Sequence, residues 1–210
     1  MTRTRTRILL AACAAGLGLL ASHAVPAAQT NAEKLHFTAF AVNLSNVATG
    51  ATQLIEIDVD SWSLESERAR LVEVATAKEH NQDALLRALQ KQPKRGRIWA
   101  PQWKGPDPWN ARLGWEIRYA HQEPLPEGGR RVVLGTDRYI AFWEARNQGR
   151  TVDYPFTLIQ IEVDRHGRGE GKMSVATRIS FDKDKQVLEL ENYTSEPVRL
   201  NDVKMTVKSS

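Results

Sequence analysis

The chain has 210 residues, of which 41% are hydrophobic and 26% are charged, so it is long enough for one domain with a sizeable core and too hydrophobic for a disordered chain. Its formal net charge of +4 includes three arginines among the first seven residues, and the charge without residues 1–28 is +1. A charge so close to zero gives no compositional support for nucleic-acid binding, and no nucleic-acid partner is expected.

The first 28 residues have the organisation of an export signal. A basic start precedes an apolar run, and small residues favour cleavage after Ala27 or Ala28. The run is shorter than the roughly 20 residues of a membrane span. Cys13 has the context of a lipid-modified cysteine, but the apolar run before it is too short, so we assign it to the signal. The sequence predicts an exported, periplasmic or secreted protein of bacterial type, with one β-rich domain over residues 29–210.

A β-hairpin and a helical pair are predicted next along the chain. Residues 35–44 and 52–62 alternate apolar and polar side chains, and the residues between them favour a turn. From Leu64 onward, hydrophobic residues recur at helical spacing. This change of period predicts two short helices, or one kinked helix, ending by Pro93.

Strands are expected to dominate from Leu113 to the end of the chain. Successive segments alternate in period two and are separated by turn residues, as in an antiparallel meander. In the last segment the apolar residues change from even to odd positions between Leu200 and Val203, so a regular strand could not bury both sets. This change predicts a β-bulge at Asn201 and Asp202. The predicted fold is mainly β (α+β): a strongly curved or closed antiparallel sheet or barrel of about 9–10 strands, with a helical hairpin inserted after the second strand.

Tryptophans are concentrated in one part of the chain, since four of the six lie between Trp99 and Trp115. Trp99 adjoins a short extended segment and is expected to be buried. Trp103 and Trp109 stand among prolines on irregular backbone, where they form either a rigid binding surface or a plug for one end of a barrel. Trp115 is expected in the core, because it shares a strand face with Leu113, Ile117 and Tyr119. The candidate ligand-binding residues are Trp103, Trp109, Tyr139, Trp143 and Arg138.

Charged residues supply two further sets of candidates. Lys94, Arg95 and Arg97 follow the predicted helices and could contact an anion, although cations there also complement the helix dipole. Acidic residues on one face of the second strand, together with Glu116, could supply a carboxylate for general acid chemistry, or could simply form the polar face of that strand. The acids on that face are Glu56, Asp58 and Asp60.

No catalytic, phosphate-binding or metal-ligand motif stands out, so we name no catalytic residue, no metal ligand and no cofactor. The leading hypothesis is an exported, non-catalytic binding or interaction protein with an aromatic-lined site for a small apolar molecule, a lipid or a glycan. One alternative is an envelope or extracellular hydrolase that uses paired carboxylates. Another is a structural envelope subunit that docks through the tryptophan-rich loop.

Overall fold

The computed structural model describes residues 6–7, 33–44, 49–77, 82–102, 113–140, 154–182, 187–192 and 197–208, with backbone alone for 6–7, 180–182 and 187–192. These residues form ten strands and two helices. In chain order the elements are β1 (Thr6–Arg7), β2 (Leu35–Val42), β3 (Thr52–Val59), α1 (Glu65–Thr76), α2 (Gln82–Gln90), β4 (Gly96–Trp99), β5 (Trp115–Pro124), β6 (Arg130–Thr136), β7 (Phe156–Val163), β8 (Arg168–Asp182), β9 (Val187–Asn192) and β10 (Val198–Val207).

Eight of the strands close into an antiparallel barrel. Around the barrel the order is β2, β3, β4, β5, β6, β7, β8 and β10, and pairing of β10 with β2 completes the circle. Strand β9 pairs with the C-terminal part of β8, and the two-residue β1 pairs with β9. The helices follow β3, the second strand of the barrel. The predicted curved or closed antiparallel sheet with a helical hairpin after its second strand is therefore confirmed.

The interior of the barrel is a packed, largely aliphatic core. Successive side chains of a strand point to opposite faces of the sheet, so alternate residues of the barrel strands are directed inward except where a bulge interrupts the pleat. A barrel of eight strands is just wide enough to be filled by such side chains. The residues that fill this one are fully buried and include Leu35, Phe37, Ile55, Ile57, Ile98, Ile117, Leu134, Ile159 and Ile161.

A β-bulge in β10 lets both halves of that strand face the core. The register with β2 shifts between Asn201 and Lys204, and Asp202 has a φ of 50°. Leu200 and Val203 are consequently both buried, although they differ in parity. The bulge predicted at Asn201 and Asp202 is confirmed.

A second bulge, in β5, was not predicted and changes which side chains of that strand are buried. The strand begins at Trp115, and Leu113 just before it is 66% exposed. The register with β6 shifts between Ile117 and Tyr119, after which Ala120 points into the core while Tyr119 packs against the helices. The prediction that all four apolar residues of this segment share one buried face is therefore wrong.

The two helices lie against the outside of the barrel, beside β5 and β8. Leu85 and Leu89 of α2 form a second apolar cluster with Phe156 of β7. The side-chain amide of Gln82, at the start of α2, donates to the backbone carbonyl of Ile179 in β8 and accepts from its N–H. Within the described ranges, no helix has the length and hydropathy needed to cross a membrane.

Candidate functional site

The structure describes two of the five predicted ligand-binding residues. Tyr139 is half-buried and packs against the barrel core just after β6. The side chain of Arg138 is exposed, and its backbone carbonyl accepts hydrogen bonds from two neighbouring threonine hydroxyls. Both residues lie on irregular backbone, where a strand was predicted. The other three residues lie outside the described part of the chain: Trp103, Trp109 and Trp143.

The three predicted anion contacts occupy different environments. Lys94 is exposed, and its Nζ lies 3.6 Å from a carboxylate oxygen of Glu116. Arg95 is buried, and its Nη2 donates to both carboxylate oxygens of Glu67 in α1, at 2.5 and 2.6 Å. Arg95 thus fastens α1 to the barrel. Arg97 lies on the outer face of β4, next to other polar side chains.

Outward-facing side chains of five neighbouring strands form two rows across the barrel wall. Residues directly opposite each other on antiparallel strands have Cβ atoms about 4.5 to 5.5 Å apart, so each row is continuous. The first row consists of Thr206, His36, Asp58, Arg97 and Glu116. The second consists of Lys204, Thr38, Glu56 and Trp99. We define the outer-wall patch as the six of these residues on β2, β3 and β4: His36, Thr38, Glu56, Asp58, Arg97 and Trp99.

Asp58 is bound from two sides within the first row. Nδ1 of His36 lies 2.9 Å from Oδ1, and Nζ of Lys208 lies 3.0 Å from Oδ2. Partial burial opposes the charged form of Asp58, but these hydrogen bonds outweigh it and hold its pKa below the ordinary value. The hydrogen bond to Asp58 also raises the pKa of Lys208.

The contact with Asp58 determines what the His36 ring can offer a ligand. An ionised carboxylate can only accept hydrogen bonds, so the hydrogen lies on Nδ1 of His36. Nε2 accepts a hydrogen bond in the neutral ring and donates one in the protonated ring. The ring centre lies 6.2 Å from that of Trp99, with the two rings tilted by 46°. His36 therefore presents a hydrogen-bonding nitrogen, Nε2, close to the aromatic side chain of the patch.

Arg97 is held by an aromatic ring and by no described acid. Its guanidinium carbon lies 4.4 Å from the centre of the Trp99 ring, a cation–π contact. The two carboxylates beside it in the first row are bound by other cations, Asp58 by Lys208 and Glu116 by Arg118. Within the described residues, no acid forms an ion pair with Arg97. Its N–H donors remain available there.

Glu56 is the counterpart of Arg97 in the second row. It lies directly opposite Trp99 on the neighbouring strand and opposite Thr38 on the other side. No cation of the described part of the chain forms an ion pair with it, although lysines and arginines are numerous on the same wall. Among the described residues, the patch therefore combines one cation and one acid that have no ion-pair partner with one aromatic ring.

Asp58 and Asp60 do not have the features of a general acid. A general acid needs a raised pKa, whereas the pKa of Asp58 is lowered. Asp60, the third acid of that strand, is exposed and lies 3.5 Å from Lys208. Among the residues that the structure describes, no three His, Cys, Asp or Glu side chains converge as a metal site requires.

A concave surface of about 500 Å³ lies away from the patch, at one end of the barrel between the β5–β6 and β7–β8 turns. Its lining includes Leu125, Pro126 and Asp164. The carboxylate of Asp164 accepts hydrogen bonds from the backbone N–H groups of Arg168 and His166, which lower its pKa. This acid therefore stabilises its own turn, and the outer-wall patch remains the stronger candidate.

Sequence reasoning missed the contributions of His36, Thr38 and Lys208 to this site. His36 and Thr38 lie on the polar face of the amphipathic strand β2, and Lys208 directly follows β10; neither position alone distinguishes a ligand site from solvated surface. The register of the first hairpin, in which Leu35 pairs with Val59, would have placed His36 beside the acids of β3.

Comparisons with protein-family models, with curated proteins and with solved structures found no match for this chain.

Proposed function

We propose that the protein is an exported, non-catalytic binding module that holds a glycan on the outer-wall patch. The single observation that carries this proposal is the pair of charged side chains, Arg97 and Glu56, that flank Trp99 without an ion-pair partner among the described residues. Hydroxyl groups of a sugar both donate and accept hydrogen bonds, so they suit a surface that offers both kinds of partner.

The filled interior favours a ligand on the outside of the barrel. An apolar molecule or lipid would need a cavity inside the barrel, but the described strands fill that space with buried side chains such as Phe37 and Ile57. The outer wall of β2, β3 and β4 is polar around Trp99. Its other apolar side chains, Val42, Leu54 and Phe40, of which Phe40 is 45% exposed, lie toward the β2–β3 turn. A polar ligand therefore matches the surface around Trp99 better than a lipid does.

The hydrogen-bonding groups of the patch surround its aromatic ring. Glu56 is beside Trp99 on one side, Arg97 lies over the ring, and His36 approaches it from β2. Each sits on a strand of a closed barrel, so little ordering is required when a ligand binds. The site is thus rigid before it is occupied.

Calorimetric titration of the full chain with a panel of neutral and acidic oligosaccharides, and with a fatty acid, tests the proposal. We expect at least one oligosaccharide to bind, and the isosteric changes Glu56→Gln and Thr38→Val to weaken it tenfold or more. Glu170→Gln, which alters an exposed acid on β8, is the matched control and should bind like the wild type. Binding of the fatty acid alone, or oligosaccharide binding that both patch variants retain in full, would overturn the proposal.

A further inference from the structure

We infer that the ligand of the outer-wall patch is an acidic glycan whose carboxylate is received by Arg97. This inference rests on the proposed function and adds the charge of the ligand to it. It starts from the environment of Arg97, which lies between two carboxylates in its row yet forms its only described contact with the Trp99 ring.

The neighbouring acids do not neutralise Arg97, because other cations hold them. Asp58 is bound by Lys208 at 3.0 Å and by His36 at 2.9 Å. Glu116 is bound by Arg118 at 2.6 Å. Both acids therefore already have a cationic partner when a carboxylate reaches Arg97, although Lys208 is shared with Asp60 and Arg118 with Asp137.

The cation–π contact with Trp99 prepares the guanidinium for a planar partner. Arginine has N–H donors in a fixed fork that matches both oxygens of a carboxylate, and a ring beneath the fork restricts its motion without using those donors. A lysine at this position would supply charge without the fork. The preference for an acid should therefore depend on the guanidinium itself, and not only on a positive charge.

The spacing of the two charged residues matches one acidic sugar unit. Glu56 is the diagonal cross-strand neighbour of Arg97, and such positions are about 7 to 8 Å apart. A pyranose ring with a carboxylate on one end and hydroxyls on the other can reach both side chains at once. Its hydroxyls would donate to Glu56, while the distance keeps the two carboxylates from direct contact. This orientation makes Glu56 compatible with an acidic ligand.

The experiment compares oligogalacturonate with its neutral, methyl-esterified form by calorimetric titration of the full chain. We expect the wild type to bind the acidic form at least tenfold more tightly, and we expect this preference to shrink between 20 and 300 mM salt as ion pairing is screened. Arg97→Gln should abolish the preference, and Arg97→Lys should retain part of it. Arg199→Gln, which removes an exposed arginine of β10, is the control and should keep the full preference.

Four results would overturn the inference. If the wild type binds the acidic and neutral forms equally tightly, charge has no role in recognition, but the proposed function still stands. If no oligosaccharide binds, both the inference and the proposed function are overturned. An unchanged preference in Arg97→Gln assigns the charge recognition to another residue. Equally tight binding of an oligoglutamate peptide of the same charge shows that the site recognises carboxylates without requiring a sugar.

Discussion

Asp58 joins three strands through its two carboxylate oxygens, since His36 belongs to β2 and Lys208 directly follows β10. Changing Asp58 to Asn should lower the free energy of unfolding at pH 7 by about 1 to 2 kcal/mol, because hydrogen bonds to charged groups contribute about that much where they are partly exposed. The folded pKa lies below the unfolded one, so this stabilisation is complete above the unfolded value of about 3.9 and is lost as the pH falls through the folded pKa.

Urea unfolding of the wild type and Asp58→Asn between pH 7 and pH 2.5 measures this difference. The gap between the two proteins should be constant above pH 5 and should close below pH 4. Asp60→Asn is the control, because Asp60 is 48% exposed and its contact with Lys208 is the longer one, at 3.5 Å. A gap that stays constant down to pH 3 would contradict the assigned pKa shift.

Glu67 neutralises Arg95 where the start of α1 meets the barrel, and only 11% of the Arg95 side chain is exposed. Glu67→Ala should reduce the free energy of unfolding by about 3 kcal/mol, since it leaves a buried guanidinium without its partner. Glu65→Ala, which removes an acid that is 76% exposed and paired with Arg68, should cost less than about 1 kcal/mol. Equal costs for the two changes in chemical denaturation would show that Arg95 is not an anchor.

The bulge in β10 depends on a left-handed backbone at Asp202, whose φ is 50°. A β-branched side chain is strained there, so Asp202→Val should destabilise the fold by about 1 to 2 kcal/mol. Asp202→Gly should change the stability by less than about 0.5 kcal/mol, because glycine adopts this conformation readily and the ion pair that it removes, to Lys204, is exposed. Thr206→Val, on the same strand, is the control for introducing a valine side chain. If Asp202→Val lowers the free energy of unfolding no more than Thr206→Val does, the backbone at Asp202 is not strained by a β-branched side chain.

The two bulges also show what a single sequence can reveal about an element. In β10 the apolar residues change parity, and one pleat cannot bury both Leu200 and Val203, so the bulge was predictable. In β5 an unbroken alternation through Ile117 and Tyr119 fitted the sequence equally well. The decisive factor was outside the strand, because the helices provide a second apolar surface on which Tyr119 packs. Such tertiary contacts leave no mark in the local pattern.

The barrel as a whole separates a filled interior from an exposed wall, and β2 has one phenylalanine on each side of this wall. Phe37 is fully buried, whereas Phe40 is 45% exposed. Phe37→Ala should cost about 3 to 5 kcal/mol through lost contacts and the cavity left behind, and Phe40→Ala should cost less than about 1 kcal/mol. Denaturant unfolding of both variants provides the measurement, and similar costs would mean that the interior is not tightly packed.

Alternation of side chains was sufficient to predict an antiparallel sheet, but not to decide how it closes. Closure depends on the pairing of β10 with β2, whose residues are more than 150 positions apart in the chain. The same alternation fits a sandwich, so closure could not be derived from it. The outer-wall patch was hidden for the same reason, because its rows run across strands and its members are never neighbours in sequence. Trp99 was expected to be buried, but Ile98 takes the inward position of β4.

The backbone N–H of Lys208, after β10, donates to the carbonyl of Lys34, before β2, over 2.9 Å. The barrel therefore begins and ends at the same point on its wall. A short linker between these positions, with new termini opened in the turn at 126–129, would give a circular permutant in which every strand of the barrel keeps its neighbours. In that permutant β10 would be joined to β2, so all the strands that carry the two outward-facing rows, from β10 to β5, would lie in one continuous segment of the chain.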